Sequence, residues 1–195
     1  MCGIAGILRF DDQPIANDRL ERLRDHLRHR GPDGDNIETY DRCALLYSRL
    51  SVIDLLSPHQ PMHVAAREEH GELTLVFNGE IYNHRALRKQ LETLGHQFTS
   101  DHSDTEVILF GFRQWGTELP KRLHGMFAFA IWDQREQRLL LCRDRAGKKP
   151  LFLRWSDDRR EVMFASLVGS LAVGGAREPE LAPHGLLTFL RYGYN

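Results

Sequence analysis

The residue with the widest chemical scope in this chain is Cys2, one position from the start. A thiol is a weak nucleophile until a base or an electropositive site produces its thiolate. Removal of Met1 would leave Cys2 with a free α-amino group, whose ordinary pKa of about 8 suits a base working at neutral pH. One residue then supplies both nucleophile and base, as in N-terminal-threonine hydrolases. A cysteine at position 2 also suits palmitoylation, so position alone does not decide between them.

Four other places carry groups that could serve such a nucleophile. Phe77-Asn78-Gly79-Glu80-Ile81-Tyr82-Asn83 puts Asn-Gly at the end of an apolar run. That pair usually marks a hairpin turn. An Asn amide beside an unhindered Gly N–H is also a pair of donors suited to an oxyanion. Arg49 follows the apolar run 44–47 and precedes Leu50-Ser51-Val52-Ile53-Asp54. A guanidinium there either snorkels to water from a strand edge or anchors a carboxylate. Asp104 follows Ser103 at a helix start, where it reads as part of a cap or as a receiver for an ammonium group. An arginine and an aspartate together suit a free amino acid, which bears both charges. Arg30-Gly31-Pro32-Asp33-Gly34 reads as a turn.

These residues need a scaffold, and 195 residues suffice for one domain with a proper core. Hydrophobic content of 42% and charged content of 27% are ordinary for a globular protein. A formal net charge of -1 gives no footprint for nucleic acid or an anionic membrane. The stretch 126–132 is far short of a membrane span, and the N-terminus lacks a basic lead-in for a signal peptide. Cys2, Cys43 and Cys142 show no paired spacing, which favours a reducing, cytoplasmic setting over a disulfide scaffold. His59 and His63 have metal-like spacing, but Pro61 between them breaks the helix that a zinc site there would need, so no metal is expected.

Strands are expected over 2–8, 45–53, 73–77, 126–132, 139–142, 151–155 and 162–165. Leu20, Leu23 and Leu27 follow helical spacing after the cap candidates Asn17 and Asp18, and Gly31-Pro32 stops that helix. Asn83 is a cap candidate for a helix carrying Leu87, Leu91 and Leu94, with Gly95 as its stop. Ser103 and Glu106 form a capping-box pattern ahead of Val107, Ile108, Phe112 and Trp115. The polar turns at 133–137 and 156–160 suggest a meander of antiparallel hairpins. Helices bunch together and do not alternate with every strand, which argues for an α+β architecture.

Taken together, these segments resemble a known family. Met-Cys-Gly-Ile-Ala-Gly-Ile at 1–7, His-Arg-Gly-Pro-Asp-Gly at 29–34, Arg-Leu-Ser-Val-Ile-Asp-Leu at 49–55 and Gln-Pro-Met at 60–62 appear in order. Asn-Gly-Glu-Ile-Tyr-Asn at 78–83, Ser-Asp-Thr-Glu-Val-Ile at 103–108, Gly-Met-Phe-Ala-Phe-Ala at 125–130 and Arg-Asp-Arg-Ala-Gly-Lys-Lys-Pro-Leu at 143–151 complete the set. The chain is similar to the class II glutamine amidotransferase domain of glutamine-hydrolysing asparagine synthetases over roughly residues 1–171.

The resemblance implies an N-terminal-nucleophile fold, a four-layer αββα sandwich of two antiparallel sheets. It implies that Cys2 attacks the side-chain amide of L-glutamine, with Asn78 and Gly79 as the oxyanion hole. Arg49 would hold the glutamine carboxylate, Glu80 and Asp104 its amino end, and the backbone of Val52 and Ile53 would line the pocket. Residues 172–195 would begin a linker to an ammonia-accepting synthetase domain. No Ser-Gly-Gly-x-Asp-Ser pyrophosphate loop follows, so ATP and Mg are expected in that other domain and no cofactor in this chain. The resemblance favours asparagine synthesis from aspartate. It leaves open another acceptor (a peptide, antibiotic or polysaccharide precursor), a non-catalytic glutamine- or partner-binding module, and a homodimer. Two departures stand out. Leu46-Tyr47 replaces the family's usual Gly-His, and Leu167 and Gly169 replace its usual Glu and Lys.

Overall fold

A computed structural model describes residues 2–50, 60–66, 71–175, 180 and 182–193. Among these residues, nine strands form two antiparallel sheets. The first has the order β2 (Gly34–Thr39), β3 (Cys43–Arg49), β1 (Gly3–Arg9), β9 (Glu161–Ala165) and β8 (Phe152–Trp155). The second has the order β4 (Met62–Val64), β5 (Leu73–Ile81), β6 (Gly125–Asp133) and β7 (Arg138–Arg143).

Side-chain alternation sorts each strand between two apolar layers. On β1, Ile4 and Leu8 point one way and Ala5 and Ile7 the other, so a buried central strand reads as an unbroken apolar run. Ile4, Leu8, Cys43, Leu45 and Tyr47 meet Val76, Ala128, Ala130 and Trp132 between the sheets. Ala5, Ile7, Ala44 and Leu46 face outward onto α1 (Asn17–Leu27) and α5 (Val168–Val173) through Leu20, Leu23, Leu27 and Leu171. The outer face of the second sheet, with Leu75, Phe77, Phe127 and Phe129, packs on α2 (His84–Thr93) and α3 (Asp104–Trp115). Helices, sheet, sheet, helices: this is the expected four-layer α+β sandwich.

Several local expectations change in detail. The helix α1 is capped at Ala16 with no side-chain cap bond, and Asn17 and Asp18 lie inside its first turn. Asn83 sits at the start of α2 but spends its amide elsewhere, donating to Arg122 O at 2.9 Å and accepting from His124 N–H at 2.9 Å. Gly95 ends α2 as the sequence suggests, at φ 89°. The late strands are two hairpins, not one meander. Strands β6 and β7 belong to one sheet and β8 and β9 to the other, because Leu139 and Leu141 pack in the layer between the sheets from the opposite side to Val162 and Phe164. The strand expected at 45–53 is β3 up to Arg49, and its residues 51–53 lie outside the described ones. His59 does too, while His63 shares a hydrogen bond with Thr74 and pairs with Glu72. A short α4 (Leu119–Arg122) and a final α6 (Pro183–Tyr192) complete the elements, and α6 has no buried residue. No helix among the described residues is long and apolar enough to cross a membrane.

Candidate active site

The Asn78-Gly79 pair lies inside β5 and forms no turn. The β5–β6 ladder runs unbroken from Leu73↔Asp133 to Ile81↔Gly125, and Tyr82 N–H continues it to His124 O at 2.8 Å. Long-range pairing therefore overrides the local turn signal. Glycine at 79 is a packing requirement, since a Cβ there would lie 2.2 Å from Met126 O and 2.7 Å from Phe127 Cα.

In an antiparallel ladder, alternate residues turn their N–H and C=O away from the partner strand. On β5 these are Phe77, Gly79 and Ile81. Phe127, opposite Gly79, has both backbone groups committed to Asp144, donating to Oδ2 at 3.2 Å and accepting from its N–H at 2.8 Å. The outward N–H of Phe77 goes to Gln60 Oε1 at 2.6 Å, and that of Ile81 goes to Asp104 Oδ2 at 3.0 Å. Between them, the Gly79 N–H has no partner among the described residues.

Asn78 turns its side chain the other way, onto the face it shares with Val76, toward the first sheet. It is 2% exposed, and its Nδ2 has no hydrogen-bond partner among the described residues. An unmade buried donor costs about 1–3 kcal/mol. Two adjacent residues thus offer two unused donors, one from a side chain and one from the backbone.

Cys2 precedes β1 and packs against the layer between the sheets. Its Sγ lies 3.2 Å from the Tyr47 hydroxyl, 3.5 Å from Leu50 N and 3.7 Å from Leu50 O. The Arg30 Nε donates to Cys2 O at 3.2 Å. Gly31 lets that turn come close, because a Cβ there would lie 2.5 Å from Arg49 N. Burial pulls the Arg30 guanidinium below the ordinary arginine value, with the charge of Cys2 opposing. The other two thiols are poor nucleophiles, since burial pushes Cys142 up to about 11 and Cys43 well above its ordinary value.

Tyr47, which touches Cys2, is also within electrostatic reach of Arg49 and of Asp104. Asp104 in turn holds Ile81 and senses His84 and Glu80. Cys2 and Arg49 thus flank the Gly3↔Ser48 pair at one end of the first sheet, and Glu80 and Asp104 lie at the end of β5 that carries Asn78 and Gly79. Burial raises the Asp104 carboxyl, while the Ile81 N–H and His84 partly offset it. Val52 and Ile53 fall outside the described residues. Two surface clefts, one beside Arg154 and Glu161 and one beside Tyr40 and Asp41, contain none of these groups.

The capping box at α3 is half formed. Ser103 Oγ accepts from Glu106 N–H at 3.3 Å, but the Glu106 carboxylate reaches past the cap. It accepts from Thr99 N–H (2.8 Å) and Oγ1 (2.5 Å), from Ser100 N–H (3.0 Å) and from the Ser100 hydroxyl. Burial pushes Glu106 up, but these donors outweigh it and leave the carboxyl below its usual range. Glu106 thereby fixes the loop that delivers Asp104. Sequence reasoning passed over this role, as it did those of Arg30, Tyr47 and Gln60. Each of these sits inside or beside a quoted motif, which was the available signal, but the partners of Arg30, Tyr47 and Gln60 are distant in sequence, and those of Glu106 lie in the preceding loop.

Comparison with known proteins places the chain in a family. A sequence profile described as a glutamine amidotransferase domain matches residues 1–195. The chain is 39% identical over 172 residues to asparagine synthetase [glutamine-hydrolyzing] 3 of Bacillus subtilis, covering 88% of this chain and 27% of the relative. It is 38% identical over 173 residues to the enzyme of the same name in Arabidopsis thaliana, covering 88% of this chain and 28% of the relative. The chain thus spans about a quarter of the length of the curated relatives it matches. Among solved structures, the B. subtilis glutamine phosphoribosylpyrophosphate amidotransferase complexed with ADP and GMP superposes with a TM-score of 0.69 at 23% identity. That match covers 89% of this chain and 44% of the other, and it shows the shared N-terminal-nucleophile fold. The chain belongs to the glutamine amidotransferase domain family.

Proposed function

We propose that this domain hydrolyses the side-chain amide of glutamine to glutamate and ammonia, with Cys2 as nucleophile. In the processed chain the α-amine takes the thiol proton, and Sγ attacks the amide carbon. The amide oxygen becomes an oxyanion and takes the Asn78 Nδ2 and Gly79 N–H donors. The C–N bond breaks, the proton held by the α-amine leaves with ammonia, and a thioester remains. Water, deprotonated by the same amine, then releases glutamate and restores the thiol. Arg49 binds the glutamine carboxylate, Glu80 and Asp104 its ammonium, and the backbone of Val52 and Ile53 lines the pocket.

The observation that carries this reading is the buried Asn78 Nδ2, without a partner among the described residues, beside the similarly unused Gly79 N–H, on the strand that faces Cys2's layer. A turn residue or a plain core amide would satisfy its donor locally. The test is ammonia release from glutamine by the N-terminally processed protein. Absence of release from a folded, processed sample would refute the reading.

The ammonia passes, in this proposal, to an ATP-dependent synthetase domain, and the names of the relatives favour aspartate as acceptor and asparagine as product. We place the working amidotransferase unit within residues 1–171 and assign 172–195 to the approach to that partner. In support, sheet and helix packing is complete by α5, and α6 buries none of its residues. Asparagine formation from aspartate, ATP and glutamine by the full-length protein tests the acceptor separately.

A further inference from the structure

We propose that Tyr47 is a catalytic residue of this site, its hydroxyl donating a hydrogen bond to the Cys2 thiolate. The inference rests on the proposal above that Cys2 is the nucleophile, and on contacts specific to this chain. The Tyr47 hydroxyl is 3.2 Å from Cys2 Sγ, and no other side chain among the described residues makes a polar contact with that sulfur. The remaining contacts are the backbone N–H and C=O of Leu50, at 3.5 and 3.7 Å.

These partners differ in what they can do for the two states of the sulfur. Leu50 C=O accepts from a thiol and offers nothing to a thiolate. Tyr47 O–H and Leu50 N–H donate, and both strengthen as sulfur gains charge. Ionisation of Cys2 therefore exchanges one weak acceptor for two aligned donors, of which Tyr47 is the closer. The ring is fixed for this task, since it packs in the layer between the sheets with Leu45, Val76 and Phe164. Burial, then the nearby Cys2 charge, hold the phenol well above its ordinary value, so it stays protonated and keeps a hydrogen to give. Arg49 acts in the opposite direction and does not reverse the result.

Sequence alternation explains how one residue meets this requirement. Strand β3 pairs with β1 in the register Gly3↔Ser48 and Ile4↔Tyr47, so Tyr47 lies one pair inward from the strand start that carries Cys2. Its side chain points into the same layer as the sulfur. A residue one position along in either direction would face the helices on the outer side.

The variant Tyr47→Phe deletes the oxygen and leaves the ring in place. Alkylation of Cys2 by iodoacetamide, followed on its own peptide by mass spectrometry, reads the thiolate without any need for glutamine turnover. In the processed protein, alkylation at neutral pH should slow at least about tenfold, and its rise with pH should move upward by about one unit. Glutamine hydrolysis should slow in parallel, with glutamine affinity by calorimetry unchanged. Superimposable alkylation profiles for wild type and Tyr47→Phe would overturn the inference. If the profile shifts but the wild type hydrolyses no glutamine, the glutaminase reading falls and the Tyr47 contact stands. If the wild type hydrolyses glutamine and the profiles coincide, the reverse holds.

Discussion

Gln60 and Asp104 grip the same edge of β5, one accepting the N–H of Phe77 and the other that of Ile81, and the Gly79 N–H lies between them. Two side chains from different parts of the chain thus occupy the places where a neighbouring strand would otherwise pair. The gap they leave is one residue wide. A backbone donor kept open in this way is available to a ligand without any rearrangement of the sheet.

Cys2 is the first residue to test. Cys2→Ala should abolish ammonia release from glutamine, and Cys142→Ser should retain it, because burial disfavours the Cys142 thiolate. Activity in processed Cys2→Ala comparable with wild type would remove the nucleophile assignment.

Asn78→Ala separates catalysis from packing. A donor used mainly in the transition state should lower kcat by about 10²–10³ and leave glutamine affinity nearly unchanged. Because Nδ2 has no partner among the described residues, its removal should not lower the melting temperature. A loss of stability with turnover per folded molecule unchanged would mark Asn78 as structural.

Asp104→Asn should act in opposite directions on stability and binding. Burial raises this carboxyl in the folded, ligand-free protein above its unfolded value. Its contribution to stability is therefore full below the unfolded value and is lost as pH rises through the folded one. The variant, neutral and still able to accept from Ile81 N–H, should melt higher than wild type at neutral pH, and the gap should close as pH falls through the carboxylate range. Glutamine binding should weaken by about 2–5 kcal/mol through loss of an ammonium partner. Calorimetry with and without glutamine reads both effects.

Gly79→Ala should damage the fold before the chemistry. Its new Cβ would meet Met126 O and Phe127 Cα on the paired strand, far inside contact distance. A destabilisation of about 3 kcal/mol or more is expected in urea unfolding. Wild-type stability in this variant would show that β5 and β6 can separate locally at no cost.

Much of this was legible in the sequence, for identifiable reasons. Period-two and period-3.6 patterns located the strands and helices because burial imposes those patterns directly. Cys2, Arg49, Asn78, Gly79 and Asp104 stand out as candidates because their types suit one substrate and one reaction, while Glu80 enters only through the family resemblance. What escaped depends on tertiary pairing and loop conformation. Asn78-Gly79 reads locally as a turn, and only pairing with Phe127 and Ala128 keeps it extended. Glu106 reads as a capping-box partner, and only the fold of Thr99–Ser100 redirects its carboxylate. The separation of the two late hairpins into different sheets follows from no local signal at all.

In the proposed site the sulfur comes from one sheet and the two donors from the other, and no backbone ladder joins those sheets among the described residues. Their separation is set by the side chains between them, Val76, Ala128, Phe164 and Trp132 among these. In the proposed reaction the reacting distance is therefore a thickness, held largely by van der Waals contact, with the Tyr40–Thr74 hydrogen bond and the Glu38–His63 pair also crossing it. Trimming a methyl group from that filling would let the layers settle by a fraction of an ångström while every residue at the site stayed in place. Turnover in this domain should thus act as a gauge of interlayer spacing, responding to core substitutions that barely register in a melting curve.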